Sequence, residues 1–165
     1  MERKIYEEMP LAFEEVISVG IRTTIMRFDI QEVDGHFECD ELLLYHKEPL
    51  DSAYVKKVIV DYINSKTDER ILSGFVWNGI NVWLSDENQR NFSEAQRVAM
   101  ITSGQSLPMT FKLGEDAGGN PVYHEFTTVE EITGFYLSAV AYINQCLNEG
   151  WLEKDSIDMS DYGFE

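Results

Sequence analysis

The dipeptide Asn78-Gly79 lies between two runs of strand-forming residues, Phe75–Trp77 and Ile80–Leu84. Asn-Gly in this setting favours a type I′ turn, because both central residues of that turn need a positive φ. The sequence therefore predicts a tight β-hairpin. A two-residue loop places the inner ends of the two runs, Trp77 and Ile80, opposite each other.

Side-chain alternation gives this hairpin two different faces, since successive residues of a strand point to opposite sides. Trp83 falls on one side, beside Val76, and is predicted to be at least partly exposed. The other side is predicted to meet the core, and it carries Phe75, Trp77, Ile80, Val82 and Leu84.

Two further hairpins follow from the same kind of reading. Met109–Leu113 and Val122–Phe126 are joined by a glycine-rich loop, and Thr23–Val33 and His36–Tyr45 are joined through Asp34-Gly35. Strand formers bounded by Gly, Asn and Asp are typical of antiparallel pairs.

Three helices are predicted from apolar residues that recur with a period near 3.6. Asp51, Ser85 and Thr128 have the side chains expected at helix N-caps, and Gly104 and Gly150 are predicted to end the second and third helices. The predicted helices run over Asp51–Arg70, Asp86–Ser103 and Val129–Glu149.

These elements predict an α+β fold in which three β-hairpins form a mainly antiparallel sheet packed against three helices. The hairpin–helix pattern occurs three times, without similarity between the units that would indicate a repeat. The length of 165 residues predicts a single domain, 1–165. Residues 1–20 and 156–165 are predicted to be peripheral, with one short helix between Pro10 and Ile17.

The formal charge of −17 limits the classes of partner. An acidic surface repels phosphate backbones and anionic lipids, so we expect no direct nucleic-acid binding and no membrane binding, whereas a basic protein partner would be attracted. The apolar runs are far shorter than the roughly 20 residues that span a bilayer. The sequence from Met1 to Lys4 does not lead into the apolar run of a signal peptide.

Motifs that would indicate catalysis, such as a phosphate-binding loop or paired Cys-x-x-Cys, are missing from the sequence. We therefore expect no catalytic, cofactor or metal site. His124 is interpreted as a core histidine, and Cys39 and Cys146 as free buried thiols.

A partner contact is the remaining functional hypothesis. The second helix has a thin apolar stripe beside a polar run, and the acidic C-terminal segment contains large apolar residues that could dock on a partner. The alternative is that Trp151 and Leu152 close the core while the rest of the tail lies loosely. The predicted contact residues are Trp83, Glu87, Asn88, Gln89, Asn91, Trp151, Ile157, Tyr162 and Phe164.

Residues 69–93 contain Arg-Ile-x-x-Gly-Phe-x-x-x-Gly, then the hairpin, then a helix that begins with a polar Asn-Gln patch. With Leu107–Lys112 and Gly150–Asp155, this stretch resembles a phage and prophage family of unknown function from gut bacteria and their phages. The resemblance covers residues 52–158. It implies association with tailed-phage genomes, often near tail or tail-fibre genes, and it brings no catalytic residues.

The resemblance leads to the functional prediction of a non-enzymatic, tail-associated phage structural or assembly protein that contacts a phage-encoded protein. It would then lie in the bacterial cytoplasm during phage production or in the virion, without secretion by a signal peptide. Two alternatives remain open. One is a small hydrolase-type enzyme with scattered carboxylates, and the other is an acidic DNA-mimic inhibitor.

Overall fold

The computed structural model describes residues 1–18, 20–116 and 118–164. Over these residues it contains three α-helices and antiparallel strands, which confirms the α+β class. The chain divides into two compact units, Met1–Val60 with Ser156–Glu165, and Asp61–Asp155. The first is called the sheet unit and the second the hairpin–helix unit. The single-domain organisation stays a prediction.

The sheet unit contains a four-stranded antiparallel sheet with the order β1-β4-β3-β2. Its centre is the hairpin predicted around Asp34-Gly35, and both turn residues have the positive φ that such a turn requires, 52° and 84°. The strands are β1 (Glu2–Tyr6), β2 (Phe13–Ser18), β3 (Ile21–Val33) and β4 (His36–His46).

The short helix expected between Pro10 and Ile17 is wrong. Phe13–Ser18 forms strand β2 and pairs with β3, with Phe13 opposite Met26. Pairing with the long strand β3 satisfies the backbone of β2, and its β-branched residues suit a strand. The apolar residues of this segment were interpreted as a helix, whereas the next strand along the chain, β3, supplies a pairing partner for them.

The hairpin–helix unit begins within helix α1 (Ser52–Ser73), which the two units share. Its first hairpin has the predicted register, because Trp77 pairs with Ile80 and Phe75 with Val82. Asn78 and Gly79 have φ values of 50° and 77°, as the predicted turn requires. The other elements are β5 (Phe75–Trp77), β6 (Ile80–Val82), α2 (Asp86–Ile101), β7 (Met109–Glu115), β8 (Pro121–Phe126) and α3 (Val129–Asp155).

The expectation of one sheet made of three hairpins is corrected. The structure has one four-stranded sheet and two separate two-stranded hairpins, β5–β6 and β7–β8. Strands β1 and β2 pair with the two edges of the β3–β4 hairpin, so neither edge of that hairpin is free to pair with β5–β6 or β7–β8. The two short hairpins do approach each other: the Trp83 N–H donates to the Leu113 carbonyl at 2.9 Å. A β-carbon on Gly114 would lie 2.2 Å from the Asn81 carbonyl oxygen, so this approach requires glycine.

The predicted N-caps are confirmed at all three helices. The Tyr54 N–H donates to the Asp51 carboxylate at 2.7 Å, the Asn88 N–H to the Ser85 hydroxyl at 3.3 Å, and the Glu131 N–H to the Thr128 hydroxyl at 3.2 Å.

The predicted end of the third helix at Gly150 is wrong, because α3 continues to Asp155. Gly150 is buried, and a β-carbon there would lie 2.5 Å from the Thr67 hydroxyl of α1. The glycine therefore permits a close approach of two helices and does not end one.

The core of the hairpin–helix unit is largely aromatic. The ring of Phe135, on α3, lies 4.9 Å from the ring of Phe92, 5.0 Å from that of Trp77 and 5.1 Å from that of Phe126 between centroids. These distances are typical of favourable tilted and edge-to-face pairs. The predicted core face of the β5–β6 hairpin is confirmed, with Phe75, Val82 and Leu84 buried.

Candidate partner-binding surfaces

The predicted contact residues belong to both units. Ile157, Tyr162 and Phe164 lie in the sheet unit. The remaining predicted contact residues lie in the hairpin–helix unit, and they are Trp83, Glu87, Asn88, Gln89, Asn91 and Trp151.

Trp83 lies on the outward face of the short hairpins and is 39% exposed. Alternation places Val76, which is 61% exposed, on the same face. The ammonium group of Lys112 lies 5.1 Å from the centre of the Trp83 ring, and Lys112 pairs across the strands with Tyr123, which is 62% exposed. Val76, Trp83 and Tyr123 are therefore exposed on the outward faces of the two short hairpins, and together they are called the outer strip.

Asn88 and Gln89 help to join the first short hairpin to α2. The Asn88 side-chain amide donates to the Trp83 carbonyl at 2.9 Å, and that of Gln89 donates to the Leu84 carbonyl at 2.6 Å. Both residues are half-buried, whereas Glu87 and Asn91 are exposed. The polar run at the start of α2 therefore includes two side chains with a clear structural role, which its polarity alone had not indicated.

A groove opens between α2 and α3 and has a volume of about 620 Å³. A second depression beside it shares Leu84 and Ile143 and extends to α1. Together they are called the α2–α3 groove. The apolar residues that line it are Ile71, Leu72, Leu84, Phe92, Tyr136, Ala139, Val140, Ile143 and Leu147.

The sequence reading did not predict this groove. Two signals could have indicated it: the thin apolar stripe of α2, and the wide apolar seam of α3 around Tyr136 and Ile143. If the apolar face of one helix is wider than the neighbouring helix can cover, some of its apolar side chains stay open to solvent. Locating the groove requires knowing which helices are neighbours, and the sequence pattern does not give that.

The C-terminal tail packs on the sheet of its own unit. The Phe13 ring of β2 lies 6.3 Å from the Tyr162 ring and 6.1 Å from the Phe164 ring, both edge-on. Burial raises the pKa of Tyr162 above its ordinary value. The Asp158 carboxylate accepts from the Ser160 N–H at 2.9 Å and caps the turn Met159–Tyr162. Tyr162 and Phe164, predicted to be available for a partner, thus have contacts within the chain.

Trp151 and Leu152 lie on the last turns of α3 and are exposed. The alternative interpretation, in which these two residues close the core and the rest of the tail lies loosely, is therefore wrong. Trp151 and Leu152 are exposed, whereas Tyr162 and Phe164 of the tail pack on Phe13. Helix α3 continues past Gly150, and its periodicity places both side chains on the outer side. Trp151 is exposed, and its contact with a partner stays a prediction.

Arg27 forms the most deeply buried charged cluster of the sheet unit. Its Nε donates to the Tyr6 hydroxyl and to the Glu41 carboxylate, both at 3.0 Å, and its other nitrogens reach Glu14 at 3.1 Å and the Leu11 carbonyl at 2.9 Å. The Tyr6 hydroxyl also donates to Glu41. Burial raises the pKa of Tyr6, and the hydrogen bond to Glu41 acts in the same direction. The cluster connects β1 and β2 to the central hairpin.

His124 contacts both the core and a carboxylate. Its ring lies 4.9 Å from the Trp77 ring, and its Nε2 is 2.9 Å from Glu131. The Thr127 N–H and His124 lower the pKa of Glu131. These partners account for His124 as a structural residue at the joint between β8 and α3.

Among residues 1–18, 20–116 and 118–164, no group of three His, Cys, Asp or Glu side chains is placed to hold a metal ion. No helix in this part of the chain combines the length and apolar character needed to cross a bilayer. Cys39 and Cys146 are both buried free thiols.

Comparison with known proteins identifies one family. Neither the curated proteins nor the solved structures contain a match to this chain. Residues 54–164 match the model of a domain of unknown function, DUF4376. The matched segment includes the hairpin–helix unit from residue 61 onward and the tail that packs on Phe13. Because the match covers more than half of the sequence, the chain belongs to the DUF4376 family.

Proposed function

We propose that this protein is a non-enzymatic structural or assembly protein of a tailed phage, associated with the tail, that acts through protein–protein contacts. The outer strip is the observation that carries this proposal. Val76, Trp83 and Tyr123 are exposed on the outward faces of the two short hairpins, whose opposite faces pack against the core. Lys112 links two of them, because it packs on the Trp83 ring and pairs across the strands with Tyr123. Exposed neighbouring apolar residues of this kind mark sites of protein association.

The chemistry of the strip favours binding over catalysis. Lys112 stacks on the Trp83 ring, an arrangement that holds both side chains in place. Trp and Tyr supply large contact areas at a low cost in side-chain entropy, and they are enriched among the residues that dominate binding energy. We place Trp83 at the centre of the contact.

The phage assignment rests on the resemblance of residues 69–93 to a phage and prophage family. This segment contains Trp83 together with Asn88 and Gln89, whose side-chain amides donate to the Trp83 and Leu84 carbonyls just before α2. The segment thus includes Val76 and Trp83 of the outer strip. The partner proposed here is a tail protein encoded by the same phage.

Site-specific photo-crosslinking tests this proposal. A photoreactive phenylalanine analogue at position 83 is expected to crosslink the full chain to a phage tail protein in cells that are producing phage. The same analogue at Gln145, an exposed position of α3, serves as the control. Mass spectrometry identifies the crosslinked protein. Crosslinks that are equal at both positions, or that involve host proteins alone, would overturn the proposal.

A further inference from the structure

The floor of the α2–α3 groove contains a regular apolar row. Tyr136, Val140, Ile143 and Leu147 follow one another on α3 at spacings of four, three and four residues, which places them on one helical face. The eleven steps from Tyr136 to Leu147 span about 16 Å at a rise of 1.5 Å per residue. The row therefore has the length of about three helical turns.

The rim of the groove is mainly acidic. Asp86 and Glu87 lie at the start of α2, and Asp68 lies on α1. Glu94 also borders the groove, but Arg97 binds it through two nitrogens at 2.9 and 2.6 Å and offsets its charge. Among the described lining residues, the single cation is Arg90.

The negative charge at the start of α2 faces solvent, but the dipole of the helix partly offsets it. Asp86 and Glu87 are both exposed, so their charges face solvent and an incoming partner. The positive end of the α2 dipole partly offsets them. Asp68 is on a different helix and does not share that compensation. The chain as a whole carries −17, which makes the approach of a second acidic copy unfavourable.

We infer that the α2–α3 groove binds a basic amphipathic helix, about three turns long, from a partner protein. The apolar face of that helix would pack along Tyr136, Val140, Ile143 and Leu147, and its Lys or Arg side chains would lie toward Asp68, Asp86 and Glu87. This site is separate from the outer strip, so the inference goes beyond the proposed function and does not depend on it.

Binding of a designed helix to the full-length protein tests the inference. The probe is a Leu/Lys peptide of four turns with an apolar stripe at i, i+3, i+4 and i+7. Two control peptides have the same stripe with Glu in place of Lys, and the same composition in scrambled order. In methyl-labelled protein, the Leu/Lys peptide is expected to shift the NMR signals of Val140, Ile143 and Leu147, and both controls are expected to bind more weakly.

A charge-reversal pair sharpens the test. Asp68→Lys with Glu87→Lys changes the rim, and the matched control, Glu125→Lys with Glu130→Lys, changes the net charge equally at exposed positions outside the groove lining. We expect the rim variant to weaken peptide binding about tenfold, a loss of roughly 1.4 kcal/mol, and the control to change it by less than about twofold.

Thermal unfolding of both variants checks that they remain folded. Equal weakening by the two pairs would show that only net charge matters, and shifts confined to residues outside the groove would place the peptide elsewhere. If the Glu peptide bound as tightly as the Leu/Lys peptide, the acidic rim would not be what favours a basic helix. Any of these results would overturn the inference.

Discussion

The hairpins β3–β4 and β5–β6 turn through similar residues and are stabilised in different ways. Asp34-Gly35 and Asn78-Gly79 all have φ between 50° and 84°. The first hairpin has strands of 13 and 11 residues and takes β1 and β2 as further partners, whereas the second has strands of 3 residues and packs on helices. The turn residues therefore fix the register of each hairpin, whereas the length of its strands and its neighbouring elements determine what packs against it.

The short hairpin should depend most on core packing. Trp77→Ala is expected to lower the free energy of unfolding by about 3–5 kcal/mol, because the indole packs against Phe126 and Phe135. Trp83→Ala is the matched control on the outward face and should cost much less. Chemical denaturation of both variants measures the difference. Similar losses would mean that the two faces do not differ in burial as described.

The long hairpin should depend on Arg27. Arg27→Ala is expected to cost about 3–5 kcal/mol, because it leaves the buried Glu41 carboxylate without its ion-pair partner. Hydrogen exchange should show the largest loss of protection in β1 and β2, which the arginine connects to the hairpin. Arg22→Ala, which removes a more exposed pair with Glu15, is the control. Unchanged protection in the edge strands would contradict this role.

The two turn glycines compare the hairpins directly. A β-carbon on Gly35 or Gly79 meets no atom within 4 Å, so Gly→Val introduces backbone strain alone, about 1–3 kcal/mol. The three cross-strand pairs of β5–β6 should open under this strain, while the longer ladder of β3–β4 should remain. Gly→Asn, which tolerates positive φ, is the control at each position.

Amide exchange measured for each hairpin distinguishes the outcomes of these glycine variants. Loss of protection in β3–β4 with retention in β5–β6 would reverse the comparison.

The tail is expected to contribute no more to stability than the turn glycines. Deletion of residues 156–165 would leave the melting temperature unchanged if the tail were only a docking segment. Its contacts with Phe13 instead predict a loss of about 1–3 kcal/mol, at about 0.5–1.5 kcal/mol for each of two aromatic pairs. Phe164→Ala should reproduce part of that loss, and Asp161→Ala, at an exposed position, should not. A melting temperature unchanged by the deletion would return the tail to the docking interpretation.

Features encoded by neighbouring residues could be predicted from the sequence. Asn78-Gly79 gave the register of its hairpin, and Asp51, Ser85 and Thr128 gave the three helix starts, because turns and caps depend on a few adjacent residues. The core and outward faces of Trp77 and Trp83 followed from alternation alone.

Features that join distant segments were missed. The Arg27 cluster and the contact between Gly150 and Thr67 each join segments that are separated in the chain. Strand β2 was missed for another reason, because it pairs locally with β3, the next strand, with Ser18 opposite Ile21. The α2–α3 groove depends on the distance between two helices, which periodicity does not specify. A polar run such as Asn88-Gln89 is also ambiguous, since amide side chains serve equally at a surface and at a structural joint.

The outer strip has a consequence for the behaviour of the purified protein. Exposed Val76, Trp83 and Tyr123 favour self-association, whereas the charge of −17 holds copies apart. Salt shortens the range of that repulsion, from about 10 Å at 0.1 M to about 3 Å at 1 M. Colloidal stability should therefore fall as ionic strength rises.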